Sequence, residues 1–168
     1  MKARTATMAG ALCVALALSG PVWAQTQSPP AHAEHAALPW ELSAAFGYDF
    51  DTDESLWALA LGRRFGDGWK GVLEYADGKH GSHGSTVGSL KVMKELARWD
   101  AWEFALGAGG AYVKEEHHSG WGVLAAAELA YALNAQWSLK LEASYLWGLG
   151  EIDSVRAPVV QAGIVFKF

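Results

Sequence analysis

From Trp40 to the end of the chain, side-chain chemistry changes at every second residue. The last stretch, Ala157 to Phe168, shows it best. Val160, Ala162, Ile164, Phe166 and Phe168 share one face at period two, while Gln161, Gly163, Val165 and Lys167 share the other. Successive side chains of a strand point to opposite faces. A chain that keeps this alternation over many short segments can only build sheets. One face here suits hydrocarbon, and the other is small or polar.

Eight such segments follow one another: Pro39–Phe50, Ser55–Phe65, Trp69–Ala76, Thr86–Leu96, Ala101–Val113, Trp121–Leu133, Trp137–Trp147 and Ala157–Phe168. Two residues interrupt the apolar face. Arg63 lies near a strand end, within reach of lipid headgroups. Lys94 is a misfit in the fourth segment, which has the weakest alternation. Ala125 to Ala132 also fits a helical count, but its neighbours favour strand. Gly66-Asp67-Gly68 reads as a tight hairpin turn. Residues 97–100 and 134–136 make two more short turns. Longer connections are expected at 77–85, 114–120 and 148–156, with a short one at 51–54. Tight periplasmic turns alternating with longer external loops are the habit of outer-membrane barrels.

Hydrophobic residues make up 51% of the chain, and eight of its nine Trp lie beyond residue 24, yet no later window has the apolar length of a spanning helix. A membrane barrel spreads its signal in this way over many strands. Aromatics gather at segment ends. Trp40, Phe65, Trp69, Trp102, Trp137 and Phe168 are expected at one boundary. Tyr48, Trp57, Tyr75, Tyr112, Trp121, Tyr145 and Trp147 are expected at the other. The second face is rich in Ala and Gly with charges of both signs, which suits the narrow interior of eight strands. Slipping the seventh segment by one residue would turn Lys140 and Glu142 into lipid, where a midplane Lys costs about 2–4 kcal/mol. Backbone groups in lipid must all pair, so the sheet has to close. The expected fold is all-β: an eight-stranded antiparallel up-and-down transmembrane β-barrel over residues 38–168.

The start of the chain reads differently. Lys2 and Arg4 precede an apolar run, Gly10 to Leu18. Ser19-Gly20-Pro21 breaks it, and Val22-Trp23-Ala24 offers a small-residue cleavage site. Residues 1–24 are therefore expected to be a secretion signal. Residues 25–37, with Pro29 and Pro30, are expected to be a flexible periplasmic linker. The only cysteine, Cys13, lies inside the apolar run, so no disulfide is expected in the mature chain. Loss of Lys2 and Arg4 would move the net charge from −5 to −7. That balance speaks against nucleic acid as a partner.

In strand pattern, loop asymmetry and the terminal Val-Phe-Lys-Phe, the chain resembles the small eight-stranded outer-membrane barrels. These include the transmembrane domain of outer membrane protein A, outer membrane protein X and the opacity-type surface antigens. The resemblance covers about residues 38–168. It implies a multi-pass outer-membrane address in a Gram-negative cell, with both termini periplasmic. It also implies contact with outer-membrane lipid and lipopolysaccharide, and assembly through a C-terminal strand ending at Phe168.

Four groups of residues are candidates for chemistry. Glu41, Glu74, Glu103, Glu128 and Glu142 should share the lumen with Arg64, Lys70, Lys91 and Lys140 as an ion-pair network, because buried charges require partners. His80 and His83 in one loop, and His117 and His118 in the next, could approach a metal. His117, Ser119 and Glu128 faintly resemble the His-Ser-Glu set of the outer-membrane lipid A deacylases, although they sit elsewhere in the strand order. Asp51, Asp53, Glu54, Glu115, Glu116, Glu151 and Asp153 form an acidic external rim, with Lys79, Lys114 and Arg156 among them. The leading expectation is a monomeric surface barrel with a structural or interaction role, a polar plug and no cofactor. A lipid-modifying hydrolase and a narrow ion channel stay open beside it.

Overall fold

The computed structural model describes residues 39–80, 83–114, 119–152 and 156–168. The side chains of Glu54, Lys79, His80, His83 and Glu151 fall outside that description. So do the expected signal, the linker, His117, His118, Glu115, Glu116 and Asp153.

Eight strands follow in order: β1 (Trp40–Asp49), β2 (Glu54–Gly66), β3 (Trp69–His80), β4 (His83–Trp99), β5 (Trp102–Lys114), β6 (Ser119–Ala132), β7 (Trp137–Gly148) and β8 (Arg156–Lys167). Each pairs antiparallel with the next, and β8 returns to β1, so the sheet is a closed barrel. Two reciprocal bonds fasten the seam at its end: Trp40 N donates to Phe168 O at 3.1 Å, and Phe168 N to Trp40 O at 3.0 Å. Closure removes both sheet edges, which a hydrocarbon environment would leave without partners.

The two faces sort as their alternation dictates. Leu42, Leu59, Leu61, Leu73, Leu90, Val92, Leu139 and Ile164 are exposed on the outside. Their neighbours Glu41, Ala58, Ala60, Val72, Glu74, Lys91, Lys140 and Val165 are buried in the bore. An apolar surface on this scale is not a water-facing surface. It is the lipid-facing wall of a transmembrane barrel. Aromatic rings meet near both ends of that wall. Trp102–Tyr131 (4.8 Å between centroids) and Trp137–Phe166 (4.7 Å) lie toward the termini, and Tyr112–Trp121 (5.2 Å) and Trp57–Tyr75 (5.6 Å) lie toward the opposite end.

Three expectations need correction. The stretch 77–85 is not a long loop. The β3–β4 ladder continues to His80 opposite His83, so only residues 81–82 lie between the strands. A Gly-rich composition favoured a loop, but pairing with a neighbour prolonged the strands. Residues 97–100 are not simply a turn either. β4 runs on to Trp99 through a bulge: Glu95 faces Ala105, Ala97 faces Phe104, and Leu96 is the extra residue. Finally, Lys94 is not a misfit. Its ammonium donates to the carbonyl of Asp67 and sits 5.1 Å from the centre of the Trp69 ring. Its alkyl stem covers the wall while its charge reaches the boundary. Arg63 does the same above Trp40, also at 5.1 Å.

Candidate functional site: the charged bore

Inward positions alternate between small residues and long charged ones, and this is what lets the charges meet. An ideal Cβ on Gly109 would lie 2.8 Å from the Cα of Lys91 and 2.9 Å from the carbonyl carbon of Leu90. Glycine there keeps β4 and β5 close. Two clusters of ion pairs fill the space so left.

The first lies toward the termini. Arg64 on β2 donates to Glu41 on β1 at 2.6 Å and to Glu103 on β5 at 2.7 Å. Lys70 pairs with Glu128 on β6 and lies 3.6 Å from Glu41. Arg98 donates to Glu103 at 3.1 Å and to Glu95 at 2.7 Å, and Glu95 is 3.6 Å from Arg64. The second cluster centres on Lys91, which bonds Glu74 at 3.0 Å and also Glu142; Lys140 reaches Glu142 at 3.3 Å. The structure thus places all nine lumen residues named from the sequence in these two clusters. Lys91 and Glu142 are each 1% exposed. Charges so far from water are tolerable only with partners on several sides.

Sequence reasoning missed Arg98 and underused Glu95. In a regular strand, residues three apart point to opposite faces. The extra Leu96 restores Arg98 to the inner face beside Glu103 and turns Trp99 outward opposite Trp102. Glu95-Leu96-Ala97-Arg98, with two charges bracketing two apolar residues, is the signal that could have flagged the bulge.

Space in the bore is uneven. Toward the loop end lies a cavity of about 80 Å³ lined by Asp49, Glu74, Lys91 and Gln161, among others. Toward the termini lies one of about 140 Å³, lined by Arg98, Glu103, Ser138 and Lys167. Between them, at Glu41, Lys70, Glu128 and Lys140, about 10 Å³ is left. One water needs roughly 10–15 Å³.

A closed antiparallel ring of eight strands, apolar outside and ion-paired inside, decides the architecture. Its fold is that of the small eight-stranded outer-membrane barrels. No protein-family model matches the sequence, and no curated protein matches it. Solved structures of such barrels do match. The N-terminal β-barrel domain of OprF from Pseudomonas aeruginosa aligns with a TM-score of 0.66 at 16% identity, over 78% of this chain and 98% of that one. Neisserial surface protein A aligns with a TM-score of 0.64 at 15% identity, over 77% and 96%. A de novo designed transmembrane β-barrel aligns at 0.57 and 14% identity, over 78% and 96%. A designed barrel beside natural ones means that this likeness speaks for architecture and not for a task.

The other candidate sites of this small barrel are not assembled among the described residues. Ser119 opens β6 opposite Lys114, whereas Glu128 lies nine residues further along the strand and pairs with Lys70. At about 3.3 Å per residue that is roughly 30 Å, too far for one catalytic set. His80 and His83 end the β3–β4 ladder, their side chains outside the description. No group of three or more metal-ligating side chains occurs among the described residues.

Proposed function

We propose that this chain is a surface barrel of a Gram-negative outer membrane with a structural or interaction role, acting through its acidic, His-containing loop end. In this reading residues 1–24 direct export and residues 25–37 hang in the periplasm. Both termini and the turns at 67–68, 100–101 and 133–136 face inward. The barrel is a monomer, folded by the assembly machinery through the strand that ends at Phe168, and contacts lipopolysaccharide on its wall. One observation carries the functional part: the waist of about 10 Å³, crossed by the Lys70–Glu128 pair. A bore that narrow is a plug rather than a path, which leaves the loop end as the working surface.

Five measurements test it. A purified barrel of this kind resists detergent and shifts on a gel only after boiling. Cysteines at Asp53 and Asp67 should differ on intact cells, with Asp53→Cys labelled by a membrane-impermeant maleimide and Asp67→Cys not. In planar bilayers the protein should give no discrete conductance steps; regular steps would make it a channel. Loss of lipid A deacylation on Ser119→Ala would make it a hydrolase instead. Binding of cells to basic surfaces should fall when residues 115–120 are excised.

A further inference from the structure

The cavity toward the loop end has a chemistry that the plug does not use. Two of its lining side chains are almost wholly buried and have no hydrogen-bond partner among the described residues: the Ser89 hydroxyl and the Gln161 carboxamide oxygen, on residues 5% and 3% exposed. They come from β4 and β8 on opposite sides of the bore. Ser89 stands across the ladder from Glu74, and Gln161 from Glu142. Gly47 makes room for Gln161, since a Cβ there would meet the Gln161 Cγ at 2.8 Å. An unpaired buried polar atom is costly, so its retention calls for a partner.

Charge points to the kind of partner. Among the described residues, Glu74 and Glu142 share the ammonium groups of Lys91 and Lys140 and Asp49 is bonded to neither, so three carboxylates stand against two cations and one negative charge is left over. Asp49 is buried and, among the described residues, engages only the backbone N–H of Asp51, at 2.9 Å, through one oxygen. The carboxylates at this level therefore outnumber the ammonium groups that face them. Between these polar groups the lining is apolar, with Leu56 on β2, Leu124 on β6 and Leu146 on β7. Ile152, 2% exposed in the short helical turn Gly150–Ile152, packs into the same apolar cluster as Leu124 and Leu146.

We propose that this cavity binds a small primary ammonium compound. Its three N–H groups would be shared among Gln161, Ser89 and the spare oxygens of Asp49 and Glu74, and its short alkyl part would lie against Leu56, Leu124 and Leu146. An alkali ion would leave Leu56, Leu124 and Leu146 without an apolar partner. An anion would meet the carboxylates. The volume of about 80 Å³ is near half of the roughly 150 Å³ that holds benzene, so the ligand is of methylammonium or ethylammonium size.

The test uses the full chain in detergent micelles, isotopically labelled for NMR and titrated with methylammonium chloride. Potassium chloride and tetramethylammonium chloride serve as matched salts. The expected result is a saturable shift at the Ser89 and Gln161 amides and the Leu124 and Leu146 methyls, with methylammonium alone. Asp49→Asn and Gln161→Leu should each weaken it at least tenfold while keeping the heat-dependent gel shift. Non-saturating shifts, meaning that the cavity holds only water, would overturn the proposal. So would equal saturation by potassium, or binding that neither variant weakens.

Discussion

Lys91 on β4 and Glu142 on β7 meet across the bore, 51 residues apart in sequence and each 1% exposed. The same ammonium bonds Glu74 on β3, while Glu142 keeps a second partner in Lys140. One cation thus ties three strands together from within.

Lys91→Met should destabilise the barrel by about 3–5 kcal/mol, because it strands Glu74 in the bore while Glu142 retains Lys140. Adding Glu74→Gln should recover part of that loss by removing the unpaired charge. Urea unfolding in lipid vesicles, followed by Trp fluorescence, measures both. A double variant no better than the single one would show that Glu74 does not depend on Lys91.

Leu141 faces outward between the inward Lys140 and Glu142. Leu141→Lys should cost about 2–4 kcal/mol, the penalty for a cation near the bilayer midplane. The same unfolding assay reads it. A cost below about 0.5 kcal/mol, typical of surface substitutions in water, would mean that this wall does not touch acyl chains.

Trp99 reaches the outer surface because the bulge at Leu96 takes up one residue of β4. In a variant whose only tryptophan is Trp99, lipids brominated near the headgroup should quench its fluorescence strongly. Deleting Leu96 should remove the bulge and leave Ala97, Arg98 and Trp99 opposite Phe104, Glu103 and Trp102, so the strong quenching should persist. Loss of quenching after the deletion would show that Leu96 is not the extra residue and would remove the bulge from the account.

Gly109→Ala places a methyl group against the backbone of Leu90 and Lys91. Overpacking of this kind costs typically about 1–3 kcal/mol. Gly88, whose added Cβ would meet nothing within 4 Å, is the control, and Gly88→Ala should change little. Unfolding midpoints that fall equally for both would show strand propensity at work rather than contact.

The alternation was enough to assign the wall and the lining for most strands. Leu59 against Ala60, and Leu139 against Lys140, follow directly from period two. It failed where a local rule competed with pairing. His80 and His83 lie in a Gly-rich stretch that reads as loop, yet strand addition carried the ladder to them. Arg98 and Trp99 sit beyond a bulge, and one extra residue inverts every later face in that strand. The charges of the lining were legible as a set, but not as pairs.

What the sequence determined alone is the sorting of side chains into lipid and bore, because the strand period is a property of the backbone and needs no knowledge of neighbours. Only the closed tertiary structure decided which charges meet, where the bore narrows to about 10 Å³ and where it leaves a cavity holding Ser89 and Gln161 without partners. Those depend on the stagger between strands and on the single bulge in β4. A change in either moves one side of the ring against the other and leaves each strand's own pattern untouched.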